Sequence, residues 1–211
     1  MATARKSGKN KKARSTTTSR IANITRKTKE TDITVSLDLD KGGICNIETG
    51  IGFFDHVLTA LAVHGGFGLS VSCKGDLNVD GHHSVEDVGI CLGKAFCEAL
   101  GDKYGIMRFG SAFVPMDEAL AFCSLDISNR PFLVFNAEFT NERIGDYESC
   151  LTEEFMRAFA FNAGITLHLK SEYGKNDHHI TEALFKALAY ALKQAVGLNS
   201  DGSAVSTKGA L

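Results

Sequence analysis

The chain is 211 residues long, 44% of them apolar, with a formal net charge of −2. That is enough apolar material for one globular unit, or two small fused ones, with a real core, and no apolar run is long enough to span a bilayer, so no membrane partner is expected. The six cysteines (Cys45, Cys73, Cys91, Cys97, Cys123, Cys150) show no Cys-x-x-Cys spacing, which argues for reduced, mostly buried thiols of a cytoplasmic protein and against a disulfide scaffold or a metal clip.

Charge is unevenly placed. Residues 1–29 hold ten of the 23 Lys and Arg and no acid, leaving 13 basic residues against all 25 acids in the remainder. Residues 1–20 are read as a basic, disordered Ser/Thr/Lys-rich tail. The tail lacks the apolar stretch of a secretory signal. It has no aromatic ring to stack on a base, so nucleic acid is not the expected partner.

Along the chain, Thr31–Asp40 alternates apolar and polar and predicts a strand. Lys41-Gly42-Gly43 reads as a hairpin-type turn, with Ile44–Glu48 as its return strand. Ile51–His64 has helical spacing, stopped by Gly65-Gly66. Phe67–Cys73 predicts a strand, Lys74-Gly75-Asp76 a turn, and Leu77-Asn78-Val79 the start of another strand. Val85–Leu100 predicts a helix ended by Gly101.

The order then repeats. Glu118–Ile127 matches Glu30–Leu39, each with a Glu six residues before Ser-Leu-Asp. Arg130–Glu138 predicts a strand, Leu151–Ala163 a helix stopped by Gly164 as the first was by Gly65, Ile165–Lys170 a strand, and Ile180–Val196 the last helix. Two halves, 21–109 and 110–197, followed by a C-terminal tail at 198–211, each read strand-strand-helix-strand-strand-helix. The expected fold class is α+β with an internal duplication, each half a four-stranded sheet with helices on one face.

The markers of the duplication carry chemistry. Gly81-His82-His83-Ser84-Val85-Glu86 and Asp177-His178-His179-Ile180-Thr181-Glu182 are both His-His-x-x-Glu. On a helix the first His and the Glu share a face, while the adjacent imidazoles diverge by roughly 100°. One histidine with the glutamate can hold one metal while the other histidine reaches a second. Imidazole with carboxylate suits Zn, Mn, Fe or Ni. Laying the halves together adds His56, at the start of the first long helix, and its counterpart Glu154. Each ion can then take one helix-start ligand, one His from each pair and one motif Glu.

Further motifs appear in order: Phe53-Phe54-Asp55-His56, His64-Gly65, Gly75-Asp76, Ala99-Leu100-Gly101-Asp102, Gly105-Ile106-x-Arg108-Phe109-Gly110, Pro115-Met116-Asp117-Glu118-Ala119, Leu167-His168, and Asn176-x-His178-His179 through Phe185-Lys186-Ala187. With the two His-His motifs, these resemble the imidazoleglycerol-phosphate dehydratase family of histidine biosynthesis, from about Arg26 to Leu211. The resemblance implies a hydro-lyase with two Mn2+ ions per active site, one held by His56, His83, His178 and Glu182, the other by His82, Glu86, His179 and Glu154. It implies loss of water from D-erythro-imidazole glycerol phosphate, through an imidazolate and a diazafulvene-like intermediate, to imidazole acetol phosphate. It also implies a homo-oligomer, a 24-subunit shell with active sites at subunit contacts.

Two positions depart from the family pattern. Glu154 stands where many relatives have His, and Asn129 where Gly is common. Glu30, in Arg26-Lys27-Thr28-Lys29-Glu30-Thr31, is the expected proton carrier, with His64 and Glu182 behind it. The resemblance makes Glu30, His56 and His64 contacts of the phosphorylated imidazole substrate, with Arg108, Arg130, Ser206, Thr207 and Lys208 on its phosphate. Two other classes remain open. A binuclear metallohydrolase on a phosphorylated small molecule could use the same ligands to activate water. A non-enzymatic metal-stapled module could bind nucleic acid through the basic tail.

Overall fold

The computed structural model describes residues 19–200, 202–203 and 205–206. Most of the basic tail, and the candidates Thr207 and Lys208, lie outside the described residues. The elements run β1 (Ile21–Lys27), β2 (Thr31–Asp38), β3 (Cys45–Glu48), α1 (Gly52–Gly65), β4 (Gly68–Gly75), α2 (His82–Leu100), β5 (Phe109–Met116), β6 (Ala119–Ile127), β7 (Phe132–Asn136), β8 (Arg143–Ile144), β9 (Tyr147–Glu148), α3 (Leu151–Ala163), β10 (Ile165–Tyr173) and α4 (Asp177–Val196).

Two four-stranded sheets have the same plan, β1-β2-β4-β3 and β5-β6-β10-β7. In each, the last strand of the order pairs parallel and the other pairs are antiparallel. Ile33 faces Arg26 and Cys73, and Ala121 in the second sheet faces Val114 and Ser171. The duplication therefore holds at the level of single residues, and the α+β class with helices on one face of each sheet stands.

The local readings need four corrections. Residues 41–43 do not close a hairpin, because β3 crosses over to lie parallel to β4 at the sheet edge. Leu77–Val79 is a turn and not a strand, closed by Val79 N donating to Asp76 O at 2.8 Å. The fourth strand of each half is instead the first, β1 or β5, so each half begins with three strands of its four-stranded sheet before its first helix, and the second half adds the β8–β9 hairpin. Finally, Gly66 rather than Gly65 is the counterpart of Gly164. Both end their helices at left-handed φ values, +73° and +68°, that glycine adopts without Cβ strain.

Helices meet across the repeat boundary, α2 on α3 and α1 on α4, filling the space between the two sheets. Gly89 and Gly93 make the first contact possible, since a Cβ on Gly93 would stand 2.6 Å from Phe159 O. Buried rings join all four helices. Phe54 meets Phe155 edge-on at 5.4 Å, Phe155 stacks on Phe185 at 5.2 Å, and Phe96 meets Phe159 edge-on at 5.3 Å. Such pairs add about 0.5–1.5 kcal/mol each beyond their buried area. All six cysteines are free; Cys73, Cys91 and Cys123 are buried and Cys150 is exposed.

Candidate metal centre

Each His-His pair occupies the first turn of its helix. Asp80 Oδ1 accepts from His82 N at 2.8 Å, and Asn176 caps the other helix by accepting from His178 N at 3.0 Å. The imidazoles of each pair diverge, with centroids 6.2 and 6.0 Å apart and planes at 88° and 83°.

Their environments are parallel. The first histidine faces its own motif glutamate, His82 Nε2 to Glu86 at 3.9 Å and His178 Nε2 to Glu182 Oε2 at 3.3 Å. The second is gripped at Nδ1 by a carboxylate from elsewhere. His83 donates to Asp76 at 3.1 Å and His179 to Glu118 at 2.7 Å, and in both cases the bond raises the imidazole pKa. A carboxylate behind a histidine fixes its tautomer and turns the other nitrogen outward, the usual support of a metal-bound imidazole.

The second copy is the more complete. His56 on α1 brings Nε2 to 3.2 Å from Glu182 Oε2, and the ligand atoms of His56, His178 and Glu182 all lie within 4.8 Å of one another. No other group of three or more potential ligands satisfies that limit among the described residues. Burial pushes the Glu182 carboxyl upward, but Lys186 Nζ at 2.6 Å from Oε1 and the neighbouring His56 outweigh it, holding the pKa at about 2. Phe53 packs edge-on against His178 at 4.8 Å. The cluster opens on a cleft of about 630 Å3 walled by Phe53, Met116 and the β8–β9 hairpin tip. A separate, smaller cavity of about 380 Å3, between Phe139 and Cys150, has no histidine in its lining.

The expected quartets are not assembled within one chain. The first has three members together, while His83 is held on α2 by Asp76. The second is dispersed. His82 faces Glu86, His179 faces Glu118, with Asp117 at 3.6 Å, and Glu154 on α3 stands 3.9 Å from Arg157.

The other candidates divide similarly. Glu30 is half exposed, 3.9 Å from His83 Nε2. His64 Nδ1 is 3.4 Å from Tyr190 Oη, and burial followed by the Lys186 charge pushes its pKa down. Arg108 and Arg130 converge on one carboxylate. Arg108 forks onto both oxygens of Asp126 at 2.6 and 3.0 Å and donates to Val205 O at 2.5 Å, and Arg130 donates to Asp126 Oδ2 at 3.0 Å. Ser206 follows Val205 directly. Asn129 has φ +58°, which accounts for a Gly-favouring position, and asparagine is among the side chains that best tolerate it. Sequence reasoning assigned no role to Lys186, Asp76, Glu118 or Asp126. Asp76, Glu118 and Lys186 all lie in the ordered motifs, and Glu118 is also the repeat partner of Glu30.

The imidazoleglycerol-phosphate dehydratase family model matches residues 49–192. An imidazoleglycerol-phosphate dehydratase of Acetivibrio thermocellus is 57% identical over 189 residues, 89% of this chain and 97% of that protein. One from Clostridium kluyveri is 55% identical over 192 residues, 90% and 98%. The crystal structure of the Staphylococcus aureus enzyme superposes with a TM-score of 0.78 at 38% identity, covering 85% of this chain and 99% of that one. The Pyrococcus furiosus enzyme, in complex with (S)-C348, gives 0.76 at 39% identity, covering 89% and 100%.

Proposed function

The chain belongs to the imidazoleglycerol-phosphate dehydratase family and is a hydro-lyase, and we propose that it removes water from imidazole glycerol phosphate, within histidine biosynthesis, at two-metal sites completed by neighbouring copies of the chain. The observation that carries this reading is the His56–His178–Glu182 cluster, together with a His82–Glu86 pair elsewhere in the chain that gathers no third ligand among the described residues. Two imidazoles and an ionised carboxylate, with their ligand atoms within 4.8 Å, form a donor set suited to Mn2+.

In this reading His56, His83, His178 and Glu182 hold one ion, and His82, Glu86, His179 and Glu154 the other. Each set needs a histidine from the opposite copy of the motif, which a second chain can supply. The outer face of the second sheet supports assembly. Phe113, 63% exposed on β5, lies 4.6 Å from Phe122, and Phe132 is 58% exposed on the opposite edge strand, β7. Exposed apolar surface of this kind is a feature of protein interfaces. A 24-subunit shell is the assembly this reading carries.

Divalent ions at these residues would favour the deprotonated form of a substrate imidazole. The remaining work falls to side chains. The hydroxyl beside the ring leaves with a proton as water. The hydrogen on the neighbouring carbon goes to a base, and the resulting enol becomes the ketone. Glu30 is the base of choice because its one long contact, 3.9 Å to His83 Nε2, keeps it beside a metal-ligand histidine without committing it. His64, kept neutral, and Glu182 are the alternatives. Arg108 and Arg130, aligned by Asp126, take the phosphate, and Ser206, Thr207 and Lys208 close on the same group.

The test is turnover of imidazole glycerol phosphate by chelator-stripped protein before and after adding Mn2+. Activity that returns with Mn2+ supports both the reaction and the cofactor. Inactivity with every divalent ion, or phosphatase activity independent of imidazole, would overturn the reading in favour of hydrolysis.

A further inference from the structure

The duplication supplies its own control for one partly buried ion pair. Asp87, 5% exposed on α2, accepts from Arg26 Nε at 2.8 Å and from Thr31 Oγ1 at 2.6 Å. In the second half the same three places are Ala183, Val114 and Ala119. The His-His motifs pair Asp87 with Ala183. Strand register pairs Arg26 with Val114, since Ile33 and Ala121 face them, and Thr31 with Ala119. All three of those replacements are buried. The fold therefore accepts plain apolar packing here, and replacing a buried ion pair by apolar side chains is often neutral or stabilising.

What the ionic version adds is a hold on the turn between β1 and β2. Thr31 Oγ1 gives its proton to Asp87, so it accepts from Thr28 Oγ1 at 3.2 Å. Thr28 Oγ1 in turn accepts from Thr31 N at 3.0 Å and from Glu30 N at 3.1 Å. A one-way chain of hydrogen bonds thus runs from a buried carboxylate to the backbone amide of Glu30. Glu30 O closes the turn from the other side by accepting from Asp76 N at 3.1 Å. The repeat partner of Glu30 has no such hydroxyl chain and a different task. Glu118 follows a turn of the same length in which Met116 stands at the place of Thr28, and its carboxylate is spent on His179 Nδ1, Asn176 N and Lys175 N.

We infer that Arg26, Thr31 and Asp87 are positioning residues that hold Glu30 at the angle its proton transfer needs. This rests on Glu30 as the base of the proposed reaction, and the test separates the two ideas. Glu30→Gln and the combined Arg26→Val, Thr31→Ala, Asp87→Ala chain, which installs the second half's own packing, are compared as manganese-loaded full-length assemblies. The combined variant is expected to keep its melting temperature, metal content, assembly size and KM, and to lose about 10²-fold in kcat, the cost of a displacement of roughly 1 Å. Thr31→Ser, which keeps the hydroxyl, should retain kcat, and Thr31→Val, which keeps only the shape, should lose it. This pair decides the matter if the combined variant does not fold. Wild-type kcat in the combined or Thr31→Val variant, beside a crippled Glu30→Gln, would overturn the positioning role alone. Normal turnover by Glu30→Gln would overturn the assignment of Glu30 and the positioning role with it.

Discussion

Asp76 grips His83 from behind. Both of its carboxylate oxygens lie 3.1 Å from Nδ1, leaving Nε2 as the nitrogen free to face a ligand. Outer partners of this kind are worth about 10–100-fold in metal affinity. Asp76→Ala is therefore expected to weaken Mn2+ binding by about that factor while leaving the fold intact, as measured by calorimetry on stripped protein. An unchanged affinity would count against His83 as a ligand.

Glu154 and His56 occupy the same place in the two halves, ten residues before Gly164 and Gly66. If each serves a different ion, Glu154→Ala and His56→Ala should each cost one of the two ions, and the double variant both. Elemental analysis of the purified assembly checks this. Full manganese occupancy in Glu154→Ala would remove Glu154 from the ligand set.

Arg130 is 65% exposed at its side chain and gives one nitrogen to Asp126. A hydrogen bond to a charged group is worth about 1.5–3 kcal/mol, so Arg130→Ala should raise KM about tenfold or more with metal content unchanged. Arg108 also holds the backbone of Val205, so deleting residues 206–211 should raise KM as well. Steady-state kinetics on both variants tests the phosphate assignment.

Asp146 caps α1 from the hairpin, accepting from Gly52 N at 2.7 Å and Phe53 N at 3.2 Å. Burial pushes its carboxyl upward, but those amides outweigh it and hold the pKa below the ordinary 3.8. The unfolded chain binds this proton more readily than the folded one. The stabilisation is thus complete above the ordinary value and lost as pH falls through the lower, folded one. Asp146→Ala should melt about 2–4 °C lower at neutral pH, the equivalent of a cap worth about 1 kcal/mol. Melts across an acid series should show the gap closing at the lowest pH.

Much of this architecture is legible before any coordinates. The four helices announce themselves by apolar spacing, although α2 and α4 begin three residues before the expected Val85 and Ile180, at His82 and Asp177, and the repeated His-His-x-x-Glu marks the duplication. The strands were harder because their partners are distant. The turn at 41–43 is a real reversal, yet nothing local says that β3 will pair with β4 instead of β2. β5 escaped notice because Phe109 and Phe113 face outward, which blurs the alternation a half-buried strand should have. The histidines and glutamates proposed as metal ligands stand out by residue type and spacing. Their supports do not: Asp76, Glu118 and Lys186 are ordinary polar residues until the fold brings them to His83, His179 and Glu182. The bond from Arg26 to Asp87 spans 61 residues and leaves no periodic trace.

Of the 20 residues of α4, 14 are buried, enclosed by α1 on one side and by β5 and β6 on the other. Amide hydrogens in so enclosed a helix exchange with solvent only when the whole unit opens. His178 and Glu182 are therefore mounted on the part of the molecule that comes apart last. Heat or denaturant should loosen the hairpin at 143–148 while both side chains still stand in register, and the ability to capture an ion should outlast the ability to enclose a substrate.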